Sequence, residues 1–210
     1  KYFKTDDLKK CSRFWIILFK TILSKLYHWK IYVVGSVEYQ YPNHLFQAGY
    51  FLDKKYYDEN TIDFKHLLLS EKNQSLLKDI QNSNSVGVHI RRGDYMTKQN
   101  LVIFGNICTQ KYYHDAIRII TEKVNDAVFY VFSDDISWVQ THLDIPNAVY
   151  VNWNTGESSI YDMYLMSSCK YNIIANSTFS YWAARLNKKT NMVIYPSKWY
   201  NTFTPDILRM

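Results

Sequence analysis

The 210-residue sequence has few cysteines and no long apolar run, and each shortage excludes a common class of protein. Its three cysteines, Cys11, Cys108 and Cys169, are odd in number and far apart, so they provide neither a disulfide framework nor the ligand spacing of a zinc site. The apolar run at residues 14–19 is far shorter than the ~20 residues that a membrane-spanning helix needs. No internal repeat or low-complexity tract is present. These features favour a globular protein of a reducing compartment.

The chain is rich in aromatic side chains and carries an excess of positive charge. It has 19 tyrosines, 11 phenylalanines and 6 tryptophans, and its 47% hydrophobic content suffices for a substantial core in one large domain or two small ones. The net charge of +6 suits an anionic ligand. The lysines are scattered rather than aligned in a stripe, so the charge does not predict a nucleic-acid-binding surface.

Residues 1–84 show a less regular pattern than the rest of the chain. The spacing of apolar residues predicts a helix, a short strand, an aromatic-rich loop with short helical pieces and a second helix, at residues 14–29, 31–34, 39–57 and 67–80 respectively. The first helix either packs in a core or lies on a membrane surface. Because the sequence opens at Lys1 within an amphipathic pattern, we expect a fragment, for which the absence of a signal peptide is uninformative.

From residue 85 onward, strands and helices alternate regularly. Periods of two and short apolar runs predict strands at residues 86–90, 127–132, 148–151, 172–175 and 192–195. Helical spacing predicts helices at residues 110–124, 134–142, 158–168 and 178–186. This alternation indicates βαβ units, a parallel sheet and right-handed crossovers. The sequence therefore predicts an α/β fold, with a Rossmann-like domain at about residues 85–196 and a domain boundary after residue 84.

Polar side chains follow three of these predicted strands. The three groups are His89, Arg91, Arg92 and Asp94; Ser133, Asp134 and Asp135; and Asn176, Ser177 and Thr178. Parallel strands bring such groups to one edge of the sheet, which is where open α/β sheets bind ligands. The period of two places His89 and Arg91 on one face of the first strand and Arg92 on the other, so the two arginines have separate tasks.

The two arginines have two interpretations. Planar guanidinium groups bind phosphate oxygens bidentately, which makes a diphosphate clamp of Arg91 and Arg92. Alternatively they form ion pairs that hold two strand ends together, for example Arg92 with Asp134 or Asp135. The sequence leaves both open.

The acidic pair Asp134-Asp135 is also ambiguous. Ser133 or Asp134 suits the N-cap of the following helix, where acidic residues are favourable. A metal-binding carboxylate pair is the alternative, but the sequence places no third ligand nearby.

Two further groups depend on context for their interpretation. Ser177 and Thr178 open a helix whose free N–H groups suit an anion, although a plain cap is equally good chemistry. Asp162 lies on a predicted helix and is either a solvated acid or an acceptor for a ribose or for the amidine edge of guanine.

Three stretches resemble the motifs of one enzyme family. They are His-Ile-Arg-Arg-Gly-Asp-Tyr at residues 89–95, Val-Phe-Ser-Asp-Asp at residues 131–135, and a long stretch at residues 162–182 that includes Asn-Ser-Thr-Phe-Ser-Tyr-Trp. In this order they resemble the α-1,2-fucosyltransferases, which use GDP-fucose, and the long stretch is most similar to bacterial members.

The resemblance implies a GT-B fold, in which two Rossmann-like domains face each other across a cleft. Residues 1–84 would be the remainder of the N-terminal, acceptor-side domain, and residues 85–210 would bind GDP-fucose. The roles that it implies for single residues are nucleotide contact by His89, diphosphate binding by Arg91, guanine recognition by Asp162, phosphate binding by Ser177 and Thr178, and bracing of the site by Arg92, Asp94 and Asp135.

The resemblance also implies an activity. The enzyme would transfer L-fucose with inversion from GDP-fucose to a sugar hydroxyl, most plausibly the 2-OH of a galactose in a cell-surface glycan such as the O-antigen of lipopolysaccharide. It would need no metal or other cofactor. Its location would be cytoplasmic, at the inner face of the membrane. Arg91 would stabilise the departing GDP, while Asp94 would act either as the base for the acceptor proton or as a brace for the arginines.

One departure from the family pattern concerns its opening loop. Family members begin with a glycine-rich Gly-Gly-Leu-Gly-Asn-Gln-like loop, which this sequence lacks, so we expect an N-terminal truncation. We also expect that the C-terminal end is clipped after Met210. A nucleotide-sugar-binding module without transferase activity therefore remains an alternative. A second alternative is a transferase that uses another nucleotide sugar.

Overall fold

The protein was analysed as a computed structural model that describes residues 32–34, 46–48 and 64–201. The chain divides into two compact units, Lys1–His66 with Pro205–Met210, and Leu67–Thr204. The predicted boundary after residue 84 and the assignment of residues 1–84 to the acceptor side stay predictions.

Two short strands are described in the first unit. β1 (Tyr32–Val34) and β2 (Phe46–Ala48) are parallel and pair Tyr32 with Phe46. β1 confirms the strand predicted at residues 31–34. β2 lies within residues 39–57, where the sequence predicted a loop with helical pieces, so that prediction was wrong for these three positions. The helix predicted at residues 14–29 lies outside the described residues.

The second unit is an α/β layer structure around a five-stranded parallel sheet. Its elements are α1 (Glu71–Asn82), β3 (Asn84–Ile90), α2 (Lys98–Phe104), α3 (Gln110–Lys123), β4 (Ala127–Ser133), α4 (Ile136–His142), β5 (Ala148–Val151), α5 (Ser159–Ser167), β6 (Tyr171–Ile173), α6 (Thr178–Arg185) and β7 (Met192–Ile194). The strand order is β5-β4-β3-β6-β7, which places β3 at the centre. The predicted alternation of strands and helices is confirmed.

Alternate residues of the central strands fill two separate cores, one on each face of the sheet. On one face Val86, Val88 and Ile90 of β3 pack with α3 and α4. On the other face α1, α5 and α6 pack on side chains of β4 such as Tyr130 and Phe132. Each large apolar side chain buried in this way contributes roughly 1.5–3 kcal/mol of transfer free energy. The period-two pattern of the sequence thus specifies which way every strand faces.

The loop after β3 contains structure that the sequence did not predict. A short 3₁₀ helix at Gly93–Met96 and the helix α2 follow β3 directly. The hydroxyl of Thr97 caps α2 by accepting the backbone N–H of Asn100 at 3.4 Å. These two elements form one wall beside the end of β3, where the candidate site lies.

Candidate active site

The ends of β3 and β4 lie side by side, which brings the predicted arginines to the predicted aspartates. Ile90 pairs with Ser133 in the parallel register, so the next residues of the two strands are neighbours. The backbone N–H of Arg92 donates to Asp134 at 2.9 Å, and Arg92 Nε lies 3.2 Å from Asp135 Oδ2. The strand-end cluster that the sequence predicted is therefore present on these two strands.

Arg91 lies between two carboxylates. Its Nη2 is 2.6 Å from Asp94 Oδ1 and its Nη1 is 2.9 Å from Asp134 Oδ2. Both arginines thus make the ion pairs that the sequence offered as the alternative to a phosphate clamp. The side chain of Arg91 is 34% exposed, and ion pairs at that exposure contribute only about 0–1 kcal/mol. A stronger anion can therefore displace these carboxylates at little cost.

Arg92 is held at one edge and on one face of its guanidinium group. Asp135 binds its edge, and the ring of Trp138 lies 3.6 Å from its central carbon. The ring of Trp138 also stacks on that of His142, which lies one helical turn later, with ring centroids 4.5 Å apart. The sequence analysis missed Trp138. An aromatic residue in the first turn of the helix that follows the acidic pair was the available signal.

Asp135, and not Ser133 or Asp134, is the N-cap of α4. Its carboxylate accepts the backbone N–H of Trp138 at 3.1 Å. The predicted caps were wrong because β4 continues through Ser133 and because both carboxylate oxygens of Asp134 are used, one by the backbone N–H of Arg92 and the other by Arg91, whereas Asp135 keeps one oxygen for the helix.

A cleft of about 380 Å³ opens beside the arginines. It lies between the end of β3, the 3₁₀ helix with α2, and the start of α3. Arg91, Arg92 and Lys111 are the charged side chains that line it within the described residues, and all three are basic. The first residues of α3, a helix of 14 residues, also border the cleft, and a helix N-terminus adds positive potential. The cleft is therefore suited to an anion.

Aromatic residues form the walls of the cleft. Tyr95 stacks on Phe104 with centroids 4.6 Å apart, and its hydroxyl donates to the carbonyl of Asn176 at 2.9 Å. The buried hydroxyl of Tyr113 donates to the carbonyl of His89 at 3.1 Å. These bonds fix the ends of β3 and β6 relative to the cleft.

His89 lies on the opposite face of the sheet from the α3 core, as the period of two predicted. It is 5% exposed, and its ring centroid is 5.1 Å from that of Phe179 in α6. Burial, and then the charge of Arg91, lowers the pKa of His89 to about 3, so the ring is neutral near pH 7. Its Nδ1 has no hydrogen-bond partner among the described residues. A buried polar atom left unpaired costs about 1–3 kcal/mol, so this atom is poised for a ligand.

Ser177 and Thr178 lie on the other side of β3 from Asp134, because β6 pairs with β3 there. Ser177 is the N-cap of α6, and its hydroxyl accepts the backbone N–H of Phe179 at 3.3 Å. The plain cap that the sequence allowed is thus present. Phosphate binding by Ser177 and Thr178 stays a prediction.

Asp162 is buried and not the solvated helix acid that the sequence left as one possibility. It is 9% exposed on α5, which packs on the sheet face that His89 also occupies. Asn154 Nδ2 donates to Asp162 Oδ1 at 2.7 Å. Burial raises the pKa of Asp162 to about 7, against the opposing effect of the Asn154 hydrogen bond. A carboxylate that titrates near neutrality is characteristic of functional sites, and the sequence analysis missed its partner Asn154.

Two further properties of the described part of the chain bear on the predicted site. Within it, no group of three or more histidine, cysteine or acidic side chains is arranged to hold a metal ion. Asp134 and Asp135, the pair considered for a metal, bind the two arginines instead. No helix among the described residues has the length and apolar character needed to cross a membrane.

Comparison with known proteins identifies the class to which this fold and site belong. A sequence model of glycosyl transferase family 11 matches residues 12–205, which is most of the chain. The chain therefore belongs to glycosyl transferase family 11.

Its relatives include two proteins of Escherichia coli. The chain is 35% identical to an alpha-1,2-colitosyltransferase over 81% of its own length and 60% of the relative's. It is 44% identical to the O-antigen biosynthesis glycosyltransferase WbnK over 57% of its own length and 40% of the relative's. It is also 29% identical to galactoside alpha-(1,2)-fucosyltransferase 2 of Pongo pygmaeus, over 58% and 37% of the two chains. These relatives confirm the resemblance to α-1,2-fucosyltransferases, and the chain spans between about a third and two thirds of their lengths.

Proposed function

We propose that the protein transfers L-fucose from GDP-fucose to a sugar hydroxyl, the 2-OH of a galactose, with inversion at the fucose carbon. The observation that carries this proposal is the basic cleft at the ends of the parallel strands, where Arg91 and Arg92 meet the N-terminus of α3. Membership of glycosyl transferase family 11 and the names of the relatives support the same reaction class. In this proposal Leu67–Thr204 is the donor-binding half of a GT-B fold.

Arg91 binds the diphosphate of the donor. Its ion pairs with Asp94 and Asp134 are partly exposed and worth at most about 1 kcal/mol each, whereas charge-assisted bonds to phosphate are worth about 1.5–3 kcal/mol each. Exchange of carboxylate for phosphate is therefore favourable. Arg92 keeps its contacts with Asp135 and Trp138 when the donor binds, and so braces the end of β3.

The nucleoside is recognised on the other face of β3. The carboxylate of Asp162 accepts hydrogen bonds from the N–H groups of the guanine amidine edge. His89, whose Nδ1 is unpaired among the described residues, contributes a further polar contact. Ser177 and Thr178 bind phosphate oxygens through the first N–H groups of α6 and their hydroxyls.

The chemical step breaks the bond between fucose C1 and the phosphate oxygen while the acceptor oxygen attacks C1 from the opposite side. Negative charge develops on GDP, and Arg91 with the N-terminus of α6 stabilises it. The hydroxyl proton of the acceptor passes to a carboxylate, for which Asp94 is the candidate because its side chain is 54% exposed beside Arg91. Bracing of Arg91 is its other role, and the two roles are separable by experiment. The reaction in this proposal needs no metal or other cofactor.

The acceptor in this proposal is a galactose-containing glycan of the cell surface. One relative is named for O-antigen biosynthesis and another for galactosides, and both names support such an acceptor. A cytoplasmic enzyme at the inner face of the membrane, associated peripherally, would meet a glycan of this kind during its assembly.

Colitose is the second candidate for the transferred sugar. The observation that favours it is the 35% identity to an alpha-1,2-colitosyltransferase over 81% of this chain. Colitose is 3-deoxy-L-fucose, so the two donors share GDP, the diphosphate and the reacting carbon. The residues assigned above serve either donor.

The experiment that tests the proposal combines GDP binding with sugar transfer. Isothermal titration should detect GDP binding to the full chain. Mass spectrometry of a galactoside acceptor incubated with GDP-fucose, or separately with GDP-colitose, should show which sugar is added. Failure to bind GDP would overturn the proposal, whereas binding without transfer to any galactoside would indicate a nucleotide-sugar-binding module.

A further inference from the structure

A buried asparagine and a partly buried one, from distant parts of the chain, form a reciprocal pair. Asn73 Nδ2 of α1 donates to Asn154 Oδ1 at 2.9 Å, and Asn154 Nδ2 donates back to Asn73 Oδ1 at 3.1 Å. The two residues are 81 positions apart, and Asn73 is only 1% exposed. The pair links α1 to the segment that leads from β5 to α5, and α5 carries Asp162.

The orientation of both amides is determined by Trp153. Its indole Nε1–H, which can only donate, lies 2.7 Å from Asn73 Oδ1. The oxygen of Asn73 therefore faces the indole, and its amino group faces the oxygen of Asn154. Lys72 Nζ lies 3.7 Å from the centroid of the Trp153 ring and helps to hold the indole in place.

As a consequence, the amino group of Asn154 faces Asp162. One of its hydrogens goes to Asn73 and the other to Asp162 Oδ1, at 2.7 Å. Every polar atom of the two amides thus has a partner, and one hydrogen of Asn154 is directed at the carboxylate. Hydrogen-bond networks in which every member is satisfied fix side chains in one arrangement.

We propose that Asn154, oriented by Asn73 and Trp153, is the positioning residue for Asp162, supplying one carboxylate oxygen with a donor and presenting the other oxygen to the guanine base. The proposal rests on the proposed function, in which Asp162 recognises guanine. It adds three residues that the family motifs of residues 89–95, 131–135 and 162–182 do not contain.

Asn154 has a second effect, on the ionisation of the carboxylate. Burial raises the pKa of Asp162 to about 7, and the bond from Asn154 opposes that rise. Ionisation leaves the second carboxylate oxygen without a proton and free to accept from guanine N–H groups, so GDP affinity should fall as the pH falls through about 7. Loss of the Asn154 donor raises the pKa further and moves this fall to higher pH.

Titratable side chains also lie on the elements that pack against α5. They are Glu71, Lys72, Lys78 and Asp79 of α1, His89 of β3, Glu157 of the 3₁₀ turn at Gly156–Ser158, and Tyr181 and Arg185 of α6. His89 does not titrate in the relevant range, because its pKa is lowered to about 3. Burial raises the pKa of Asp162 and the hydrogen bond from Asn154 lowers it, so Asn154 is the side chain whose removal should change that pKa.

The test measures GDP affinity of the full chain by isothermal titration between about pH 6 and about pH 9 for the wild type, for Asp162→Asn and for three further variants. Asn154→Ala should weaken GDP binding about tenfold near pH 7, because the carboxylate of Asp162 loses the donor that orients it and is ionised to a smaller extent, with affinity recovering at higher pH. Trp153→Phe removes only the indole donor while keeping an aromatic ring, and should shift the profile in the same direction by less. Asn84→Ala is the matched control. It removes the hydrogen bond of 2.9 Å from the Asn84 side-chain amide to the carbonyl of Asn125, at the far end of β3.

The outcomes separate the positioning role from the proposed function. Wild-type chain that does not bind GDP overturns the proposed function. If the wild type binds and Asp162→Asn weakens binding, but Asn154→Ala and Trp153→Phe keep the wild-type pH profile, the positioning role is refuted. A uniform, pH-independent loss in Asn154→Ala, matched by Asn84→Ala, would indicate general destabilisation and would likewise refute it. If Asn154→Ala does not fold, Trp153→Phe decides.

Discussion

Asp134 accepts the backbone N–H of Arg92 at 2.9 Å, and this bond ties the end of β4 to the end of β3. The same carboxylate holds Nη1 of Arg91, so one aspartate fixes the backbone and a side chain of the candidate clamp together. Gly93 follows directly, and a Cβ atom at that position would overlap the Asp134 carboxylate. The glycine is therefore required for close approach.

Gly93→Ala tests this arrangement. Asp134 would have to move, and both its contacts with the arginines would loosen, so we expect a stability loss of about 1–3 kcal/mol and weaker GDP binding. Chemical denaturation and titration measure the two effects. Gly156→Asn is the control, because that position has open space and a positive φ of 59°, which asparagine tolerates. Equal behaviour of the two variants would contradict the requirement.

Arg91→Ala should cost about 2–4 kcal/mol in GDP binding, because it removes two charge-assisted bonds to phosphate, together about 3–6 kcal/mol, less the two ion pairs of up to about 1 kcal/mol each that they replace. Arg91→Lys keeps the positive charge but lacks the planar pair of N–H donors that binds phosphate bidentately, so it should recover only part of the lost affinity. The control is Arg118→Ala on α3, since Arg118 also makes a 2.9 Å ion pair, to Glu122, but is 61% exposed. Near-normal GDP affinity in Arg91→Ala would refute the clamp.

Asp94→Asn distinguishes a base from a brace. A base acts only in the chemical step, so its loss should lower kcat by about 10²–10⁴-fold and leave GDP affinity intact. A brace acts through Arg91, so its loss should weaken GDP while kcat at saturation changes little. Steady-state kinetics of sugar transfer, measured together with GDP titration, distinguish the two roles. Glu122→Gln is the control, because it also neutralises an ion-paired acid.

Asp162→Asn should stabilise the fold at neutral and alkaline pH. The pKa of Asp162 is raised in the folded state, to about 7, so the buried group holds its proton where the unfolded chain has released it. Wild-type stability therefore declines as pH rises from about 4 to about 7, and the variant should exceed it by roughly 2–4 kcal/mol above pH 7. Urea denaturation at several pH values measures the difference. A difference that is constant with pH would contradict burial of an ionised carboxylate.

His89→Gln should show the opposite pH dependence. The pKa of His89 is lowered to about 3 in the folded state, so the unfolded chain binds a proton first as pH falls below about 6.5. Wild-type stability is therefore lost as pH falls from about 6.5 toward about 3, and the variant should lose less. Because this slope opposes that of Asp162 between about pH 4 and about pH 6.5, the wild type should vary little in that range. A strong slope in the wild type would count against one of the two assignments.

The sheet was predictable from the sequence because its central strands β3 and β4 are largely buried and therefore stand out as apolar runs. β5 matches its predicted bounds at both ends, and the others differ by one to two residues at an end. The helix α2 was not predictable in this way, because Val102 and Ile103 on it are 69% and 38% exposed and give no amphipathic period. The short strand β2 lacks a period as well.

The site was predictable only as far as its residues follow strands. Arg91, Arg92 and Asp135 lie at strand ends, where topology alone brings them together. Trp138 and Asn154 act through partners that only the folded chain supplies, and no local spacing signals that. The sequence likewise could not show which aspartate accepts the backbone N–H of Arg92. Asp134 does so, which leaves Asp135 as the cap.

The bonds between Asn73 and Asn154 have a consequence for how the chain can be divided. A boundary after residue 84 would separate α1 from the sheet and leave the amide of Asn154 without its partner. The leading helix belongs to the same compact unit as the sheet, Leu67–Thr204, although it precedes the first strand of that sheet. A chimera that exchanges this half with a relative should join the two parents before Ser70, the cap of α1, and keep Asn73 with Asp162.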